Sequence, residues 1–150
     1  MNPTERTLTI TDALGNIHTV RIASAEVMEG FGEALAAQCK GGELIALKGD
    51  LGAGKTTLTK GIARGLGIAE DITSPTFVLM KVYAGNKKRG DSAPLSLCHI
   101  DAYRLSTWHD LEAIGADEYI GHPDTVTVIE WPEQAGVLEH CAPAWSIAIV

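Results

Sequence analysis

The sequence predicts an α/β fold, a three-layer sandwich in which helices cover both faces of a mixed, mainly parallel central sheet. Helical patterns alternate with short apolar runs along the chain, which is typical of layered α/β proteins. Two pairs of strand patterns are spaced as hairpins and should add antiparallel strands to that sheet. The 150 residues, of which 45% are hydrophobic and 21% charged, fit one domain over residues 1–150.

The N-terminal third predicts a hairpin, a helix and a buried strand. Residues 1–23 form the hairpin, because apolar and polar residues alternate on both sides of a turn cluster at Asp12–Asn16. Ser24 can cap a helix over Ala25–Cys39, which a pair of glycines ends. The apolar run within Glu43–Lys48 lies between glycines, as expected for a central strand covered on both faces. On the helix, the apolar face is predicted to comprise Val27, Phe31, Ala34 and Leu35.

The rest of the chain predicts further helices and strands in alternation. Thr56–Leu66 is a helix whose apolar residues fall on one face and whose end is marked by glycines. A third helix begins at Ser106 or Thr107, either of which can cap it. Apolar and β-branched runs predict the remaining strands at Thr76–Tyr83, Leu95–Ile100, Thr125–Ile129 and Trp145–Val150.

A glycine-rich segment separates the predicted central strand from the second helix. Gly49–Thr56 reads GDLGAGKT, which satisfies the G-x-x-x-x-G-K-[ST] pattern of a P-loop. Backbone N–H groups that turn inward around a polyphosphate need residues that tolerate positive φ, so we expect this conformation at all three glycines. Lys55 can place its ammonium on the β- and γ-phosphates, and the Thr56 hydroxyl suits Mg²⁺. The predicted nucleotide-binding residues of this segment are Asp50, Leu51, Gly52, Ala53, Gly54, Lys55, Thr56 and Thr57.

Acidic residues end two of the predicted strands. Asp101 follows Leu95–Ile100 and Glu130 follows Thr125–Ile129, and a parallel sheet delivers such side chains to the crevice beyond its carboxyl ends. A P-loop site needs a carboxylate there to hold the metal directly or through a water molecule. Either acid alone could be a solvated loop residue or a helix cap, but beside a P-loop the pair favours a metal site. Trp131 follows Glu130 and is either a core residue or a wall of the nucleotide site or a partner surface.

Other polar residues leave alternatives open. Thr73–Thr76 precedes a strand, where a hydroxyl could sense a γ-phosphate or could belong to an ordinary turn. His99, His109 and His122 lack metal-ligand spacing and are interpreted as surface or structural residues. Arg104 could supply positive charge to a transition state, although an arginine after a strand is more often part of a surface ion pair.

Composition excludes several classes of protein. The net charge of −7 removes the broad basic face that unaided nucleic-acid binding requires, so any contact with nucleic acid should be indirect. Cys39, Cys98 and Cys141 form no CxxC pair, which argues against a disulfide framework and a zinc knuckle. The sequence contains no apolar run of membrane-spanning length and Met1–Gly15 lacks a secretory signal, so we expect a cytoplasmic protein without a membrane partner.

Four short segments form a more specific pattern than the P-loop alone. They are GDLGAGKTT at Gly49–Thr57, SPTF at Ser74–Phe77, HIDAYRL at His99–Leu105 and EWPE at Glu130–Glu133. Their sequence, order and approximate spacing resemble the TsaE (YjeE) ATPases of bacterial tRNA threonylcarbamoyladenosine biosynthesis. The resemblance covers roughly Ala25–Val150.

The resemblance implies a P-loop NTPase fold and a small ATPase that uses ATP and Mg²⁺. It implies partnership with TsaB and with TsaD, the transferase that modifies the adenosine beside the anticodon. The ATPase would reset their complex between cycles and would meet tRNA only through it. The implied catalytic residues are Lys55, Thr76, Asp101 and Glu130, the implied metal ligands are Thr56, Asp101 and Glu130, and Trp131 would lie beside the nucleotide.

The chain also departs from the family pattern. Family members often carry a threonine and a leucine ahead of the glycine in the first helix, where this chain has Met28 and Phe31 ahead of Gly32. They usually continue past the position of Val150 through a Gly-Arg turn into one further strand, which would supply a nucleotide contact.

Two other functions also fit a P-loop. A small-molecule P-loop kinase fits the size of the chain, but the loop at Lys87–Arg89 offers only three basic residues as a lid over an acceptor. A nucleotide-gated binding module with negligible hydrolysis fits because the sequence shows no definite general base. A slow ATPase is favoured, because phosphoryl transfer to water needs only a metal ion, a phosphate cradle and a positioned water molecule.

Overall fold

A computed structural model describes residues 5–87 and 89–150, so Lys88 and the first four residues of the predicted hairpin segment lie outside it. Within the described ranges the strands are β1 (Arg6–Asp12), β2 (Ile17–Ile22), β3 (Leu44–Lys48), β4 (Met80–Tyr83), β5 (Ser96–Asp101), β6 (Thr125–Glu130) and β7 (Trp145–Ile149). The α-helices there are α1 (Ala25–Gln38), α2 (Lys55–Gly65), α3 (Trp108–Ala113) and α4 (Val137–His140). None of these helices is long and apolar enough to cross a membrane.

The strands form one sheet in the order β2-β1-β7-β3-β6-β5-β4. The four central strands, β7, β3, β6 and β5, run parallel to one another. The hairpin β1–β2 joins one side and β4 the other, all through antiparallel pairs. The predicted mixed sheet is therefore confirmed, with its parallel part at the centre. This arrangement brings the carboxyl ends of β3, β6 and β5 to one edge.

Two apolar clusters, one on each face of the sheet, hold the three layers together. One lies between the sheet and the helices α1 and α2, and it includes the fully buried Leu58 and Ile62. The other covers the opposite face and includes Leu111 of α3 and Val137 of α4. Burial of this much apolar side-chain surface on both faces is the main stabilising contribution to such a sandwich. The short helix α4 was not predicted from the sequence.

Helix α1 is capped by Ser24 as predicted, because the Ser24 hydroxyl accepts a hydrogen bond from Val27 N. The predicted buried face is confirmed at Leu35 and wrong at Val27 and Ala34. Val27 is 47% exposed, whereas Met28 and Gly32 are buried. The helix turns this way because Gly32 packs directly on α2, where an added Cβ would lie only 2.5 Å from Leu58 O. Ala34 is exposed, Phe31 is partly buried, and Leu35 and Ala36 complete the buried face.

The strand predicted over Thr76–Tyr83 is shorter than expected, since β4 begins at Met80 and the preceding residues form a turn. Leu79 N donates to Pro75 O at 2.6 Å, which closes this turn. Leu79 has a φ of 69°, an uncommon left-handed conformation for a residue with a branched side chain. Its carbonyl accepts a hydrogen bond from Asp101 N at 2.9 Å. The turn thereby lies against the end of β5.

Candidate functional site

The glycine-rich loop connects β3 to α2 and turns sharply. Gly52 and Gly54 have φ values of 79° and 112°, as predicted for a loop that directs N–H groups inward. The same prediction is wrong for Gly49, which is not among the positive-φ glycines. A Cβ on Gly49 would lie 3.1 Å from both Ala53 Cβ and Ile149 O, so this glycine is required by close packing against β7.

A cavity of about 330 Å³ lies beyond the carboxyl ends of β3, β5 and β6. It is bounded by the loop, the start of α2 and the ends of these strands. The N-cap residue Gly54 has no side chain, so the first N–H groups of α2 are available to an anion, which the helix dipole also favours. The lining residues are Leu51, Gly52, Gly54, Lys55, Thr56, Thr57, Ser74, Thr76, Asp101, Glu130 and Trp131.

The cavity brings together all the predicted site residues except Asp50 and Ala53. Ala53 N donates to Asp50 O at 3.0 Å, so this N–H closes the loop instead of facing the cavity. Ser74 also lines the cavity, although it is not among the predicted site residues; its sequence signals are its position in Thr73–Thr76, where a hydroxyl could sense a γ-phosphate, and in the SPTF segment.

Lys55 places its ammonium at the floor of the cavity. Its Nζ donates to Gly49 O at 2.8 Å, lies 3.8 Å from Glu130 Oε1 and lies 4.0 Å from the centre of the Trp131 ring. Burial lowers the pKa of Lys55, and the nearby carboxylates of Glu130 and Asp101 partly oppose this shift. The ammonium is therefore held with little water around it, where a bound anion would stabilise its charge.

Glu130 ends β6 and has a second buried partner. His99 Nε2 lies 2.7 Å from Glu130 Oε2, and His99 itself is completely buried on β5. An ionised carboxylate only accepts hydrogen bonds, so Nε2 is the donor in this pairing. Of the two interpretations of His99, as a surface residue or as a structural residue, the structural one is therefore correct. His99 orients the carboxylate of Glu130. His109 and His122 are exposed.

Asp101 lies beside Glu130 in the register of β5 and β6. Its Oδ2 accepts a hydrogen bond from Thr76 Oγ1 at 3.2 Å, and its Oδ1 accepts one from Tyr103 N at 2.9 Å. Thr76 Oγ1 also lies 2.6 Å from Ser74 Oγ. Both oxygens of Asp101 are therefore oriented by neighbours. Thr76 belongs to a turn and also faces the cavity, so the two alternatives for this segment are compatible.

Trp131 has a left-handed backbone with a φ of 57°. Strained positions of this kind cluster at functional sites, and this one directs the indole ring over Lys55. The Trp131 ring centre also lies 5.0 Å from that of Tyr103.

Arg104 is exposed, lies 5.4 Å from the centre of the Phe77 ring and does not line the cavity, so this structure gives it no contact with the site.

The oxygen donors in the cavity suit a magnesium ion. The Thr56 hydroxyl and the carboxylates of Asp101 and Glu130 line one space. Mg²⁺ is commonly held by one or two protein carboxylates together with water and substrate phosphates. Within residues 5–87 and 89–150, no group of three or more His, Cys, Asp or Glu side chains forms a metal cage. One hydroxyl and two carboxylates are therefore a donor set of the kind that fits Mg²⁺.

Comparisons with known proteins find similar chains. The chain is 45% identical over 106 residues to the tRNA threonylcarbamoyladenosine biosynthesis protein TsaE of Streptomyces coelicolor, a match that covers 71% of this chain and 68% of the relative. It is 38% identical over 130 residues to the TsaE protein of Bacillus subtilis, covering 87% and 74%. The crystal structure of YdiB from Bacillus subtilis is similar, with a TM-score of 0.59 and 34% identity over 83% of this chain and 68% of that one.

These similarities identify both the fold and the family. The predicted α/β sandwich of P-loop NTPase type is confirmed by the sheet and by the similarity to YdiB. The family model described as "Threonylcarbamoyl adenosine biosynthesis protein TsaE" matches residues 22–150. The chain therefore belongs to the TsaE family, which takes part in tRNA threonylcarbamoyladenosine biosynthesis.

Proposed function

We propose that this protein binds ATP with Mg²⁺ in the cavity beside the P-loop and hydrolyses it slowly, as an accessory of the tRNA threonylcarbamoyladenosine machinery. The observation that carries this proposal is one cavity lined by the start of α2, the Lys55 side chain, and carboxylates from two neighbouring strands. The Lys55 ammonium and the N-terminus of α2 suit a polyphosphate, and the two carboxylates suit the metal ion that accompanies it.

In this proposal the phosphates lie against Gly52–Thr57. The loop amides and Lys55 bind them, while Thr56 and Glu130 hold the magnesium ion, which would neutralise phosphate charge. A second cavity of about 190 Å³ lies on the other side of the loop and supports a place for the base. Met28 and Thr57 line it, and an apolar methionine side chain can pack on a flat ring.

Hydrolysis requires a water molecule positioned for attack on the γ-phosphate. Asp101 is the proposed acceptor for that water, because its carboxylate lines the cavity and is oriented at both oxygens. The Thr76 hydroxyl, which donates to Asp101, is proposed to exchange this contact for the γ-phosphate. Loss and recovery of this hydrogen bond would then report the state of the nucleotide.

Dependence on partners is supported by the surface around the cavity mouth. Two large apolar side chains are highly exposed there: Leu51, which lines the cavity and is 91% exposed, and Phe77, which follows the lining residue Thr76 and is 85% exposed. Exposed apolar groups beside a functional cavity favour completion of the site by another protein. We propose TsaB and TsaD as those proteins, with tRNA contacted only through them because the chain carries a net charge of −7. A role in tRNA modification predicts a cytoplasmic location for this protein.

Phosphate release from ATP should be measured with this protein alone, with TsaB and TsaD added, and with Lys55→Ala in both conditions. The proposal predicts slow release by the protein alone, a faster rate with the partners, and loss of both rates in Lys55→Ala. A rate that the partners leave unchanged, together with phosphorylation of a small metabolite, would replace this proposal with the kinase function.

A further inference from the structure

Arg6 connects the N-terminal hairpin to the glycine-rich loop. Its Nε donates to Ala53 O at 3.1 Å, and its Nη2 donates to Gly52 O at 3.3 Å. One guanidinium thus bridges two consecutive carbonyls that lie more than forty positions away in sequence. Arg6 precedes residues 22–150, the part of the chain that the family model matches.

These contacts determine the direction of a neighbouring N–H group. In a planar trans peptide the C=O and the N–H point in opposite directions. The carbonyl of Ala53 and the N–H of Gly54 belong to the same peptide, so an Ala53 carbonyl held toward Arg6 turns the Gly54 N–H away from it. Gly54 lines the cavity assigned to the phosphates. The N–H of Gly54 therefore points away from Arg6, whose side chain lines the second cavity on the other side of the loop.

The loop needs such a restraint because of its own composition. Gly52 and Gly54 have left-handed φ values of 79° and 112°, and glycine can leave this conformation readily. A guanidinium is planar and presents its N–H donors in a fixed fork, so two contacts restrain two adjacent carbonyls together. A lysine in the same place carries its three donors on one rotatable ammonium and lacks the fixed fork that restrains both carbonyls together.

The hairpin provides a rigid base for Arg6. Thr7 N donates to Val150 O at 2.9 Å, and Val150 N donates to Thr7 O at 3.0 Å, which fixes the backbone beside Arg6. Leu8, two positions further on, is completely buried. The third guanidinium nitrogen, Nη1, donates to Glu5 O at 3.1 Å. The side chain is thus anchored at its base and restrained at its tip.

We propose that Arg6 is a positioning residue that preorganises the P-loop for the polyphosphate of a nucleotide. This inference rests on the proposed nucleotide-binding function. Arg6 acts on loop peptides and not on the reacting atoms, so its effect falls on affinity. An interaction that ground state and transition state share changes KM and leaves kcat nearly unchanged.

The test compares Arg6→Ala, Arg6→Lys and the control Arg21→Ala with the wild-type protein. Arg21 lies on the same hairpin, is exposed and pairs with the side chain of Glu5. Dissociation constants for ADP and ATP with Mg²⁺ are measured by calorimetry, and KM and kcat by phosphate release. We expect Arg6→Ala and Arg6→Lys to weaken binding about tenfold, since a hydrogen bond to a charged group is worth about one order of magnitude. Arg21→Ala should match the wild type.

The outcomes separate this inference from the proposed function. Wild-type binding with an unaltered dissociation constant in Arg6→Ala overturns the role of Arg6 and leaves the nucleotide site in place. Weak binding by Arg6→Ala with full binding by Arg6→Lys overturns the fork geometry and attributes the effect to charge alone. If Arg6→Ala fails to fold, Arg6→Lys alone decides between the expected tenfold loss and no loss. A wild-type protein that binds no nucleotide overturns both proposals.

Discussion

Lys55 Nζ lies 3.8 Å from Glu130 Oε1, and the two residues are only 5% and 4% exposed. A buried cation next to a buried carboxylate, both on a cavity wall, is the central electrostatic feature of this protein. Such a pair is expensive to desolvate, and its burial is weak evidence for a stabilising role. Its position is explained by the polyphosphate and the metal ion that the two side chains would bind.

Lys55→Ala should lower the affinity for ATP and the rate of phosphate release by about 10²-fold or more, because it removes a buried positive group aimed at the phosphates. Calorimetry and a phosphate-release assay measure these effects. The longer Lys55→Met variant serves as the folding control. Removal of the ammonium leaves the Glu130 carboxylate with His99 as a buried partner, so the urea unfolding of both variants is compared with that of the wild type. Turnover equal to that of the wild type would remove Lys55 from the phosphate site.

Glu130→Gln should raise the magnesium concentration needed for half-maximal activity, because a neutral amide is a weaker ligand than a carboxylate for a hard cation. Glu133→Gln is the matched control, since Glu133 lies in the same segment and is exposed. Activity is titrated with Mg²⁺ for both variants. Superimposable titrations for Glu130→Gln and the wild type would contradict a metal-binding role for Glu130.

Thr76→Val should lower kcat by about 10-fold to 10²-fold with a smaller effect on KM, since it removes the hydroxyl that is proposed to leave Asp101 and contact the γ-phosphate, where charge develops in the transition state. The control is Thr73→Val, three residues earlier and absent from the cavity wall. Steady-state rates over a range of ATP concentrations separate kcat from KM. A loss confined to KM would show that Thr76 contributes to binding alone.

The contact between α1 and α2 predicts opposite effects for two glycines two positions apart. Gly32→Ala places a Cβ 2.5 Å from Leu58 O, an overlap with backbone that should cost about 1–3 kcal/mol of unfolding free energy. Gly30→Ala meets nothing within 4 Å and should stabilise the helix by about 0.5–1 kcal/mol. Urea unfolding of both variants tests this. Equal effects of the two substitutions would disprove the close helix contact.

The three cysteines should react at different rates. Burial raises the pKa of Cys39 and Cys98 to about 12 and also raises the pKa of Cys141, which is only partly buried. At pH 8 about one in 10⁴ molecules carries a thiolate at a group of pKa 12. A thiol reagent at this pH should therefore modify Cys141 first in the native protein and all three after denaturation. Rapid modification of Cys98 before unfolding would contradict the described core.

Short-range patterns predicted most of the fold. The alternation around Asp12–Asn16 and the capping serine at Ser24 identified the hairpin and α1, because these signals act within a few residues. The buried face of α1 was misplaced, since close contact at Gly32 and not the apolar pattern decides the rotation of the helix. The residues before Met80 have β-propensity, which predicts a strand. In the structure they form a turn, because contacts with Pro75 and with the end of β5 override this propensity.

Local sequence patterns likewise predict some residues of the candidate site and miss some of its contacts. Lys55, Asp101 and Glu130 were identifiable from a motif and from strand ends. The contacts of His99 with Glu130 and of Arg6 with the glycine-rich loop were not, because these partners lie 31 and 46 or 47 positions away in sequence. Contacts of this kind depend on strand order, which no local pattern specifies.

The most direct test is a crystal structure of the protein with Mg²⁺ and a non-hydrolysable ATP analogue. We predict that the phosphates lie against Gly52–Thr57 with Lys55 in contact, and that the metal ion lies between the phosphates and the side chains of Thr56 and Glu130. An analogue bound elsewhere, with this cavity empty and both strand-end carboxylates without a metal ion, would contradict the account.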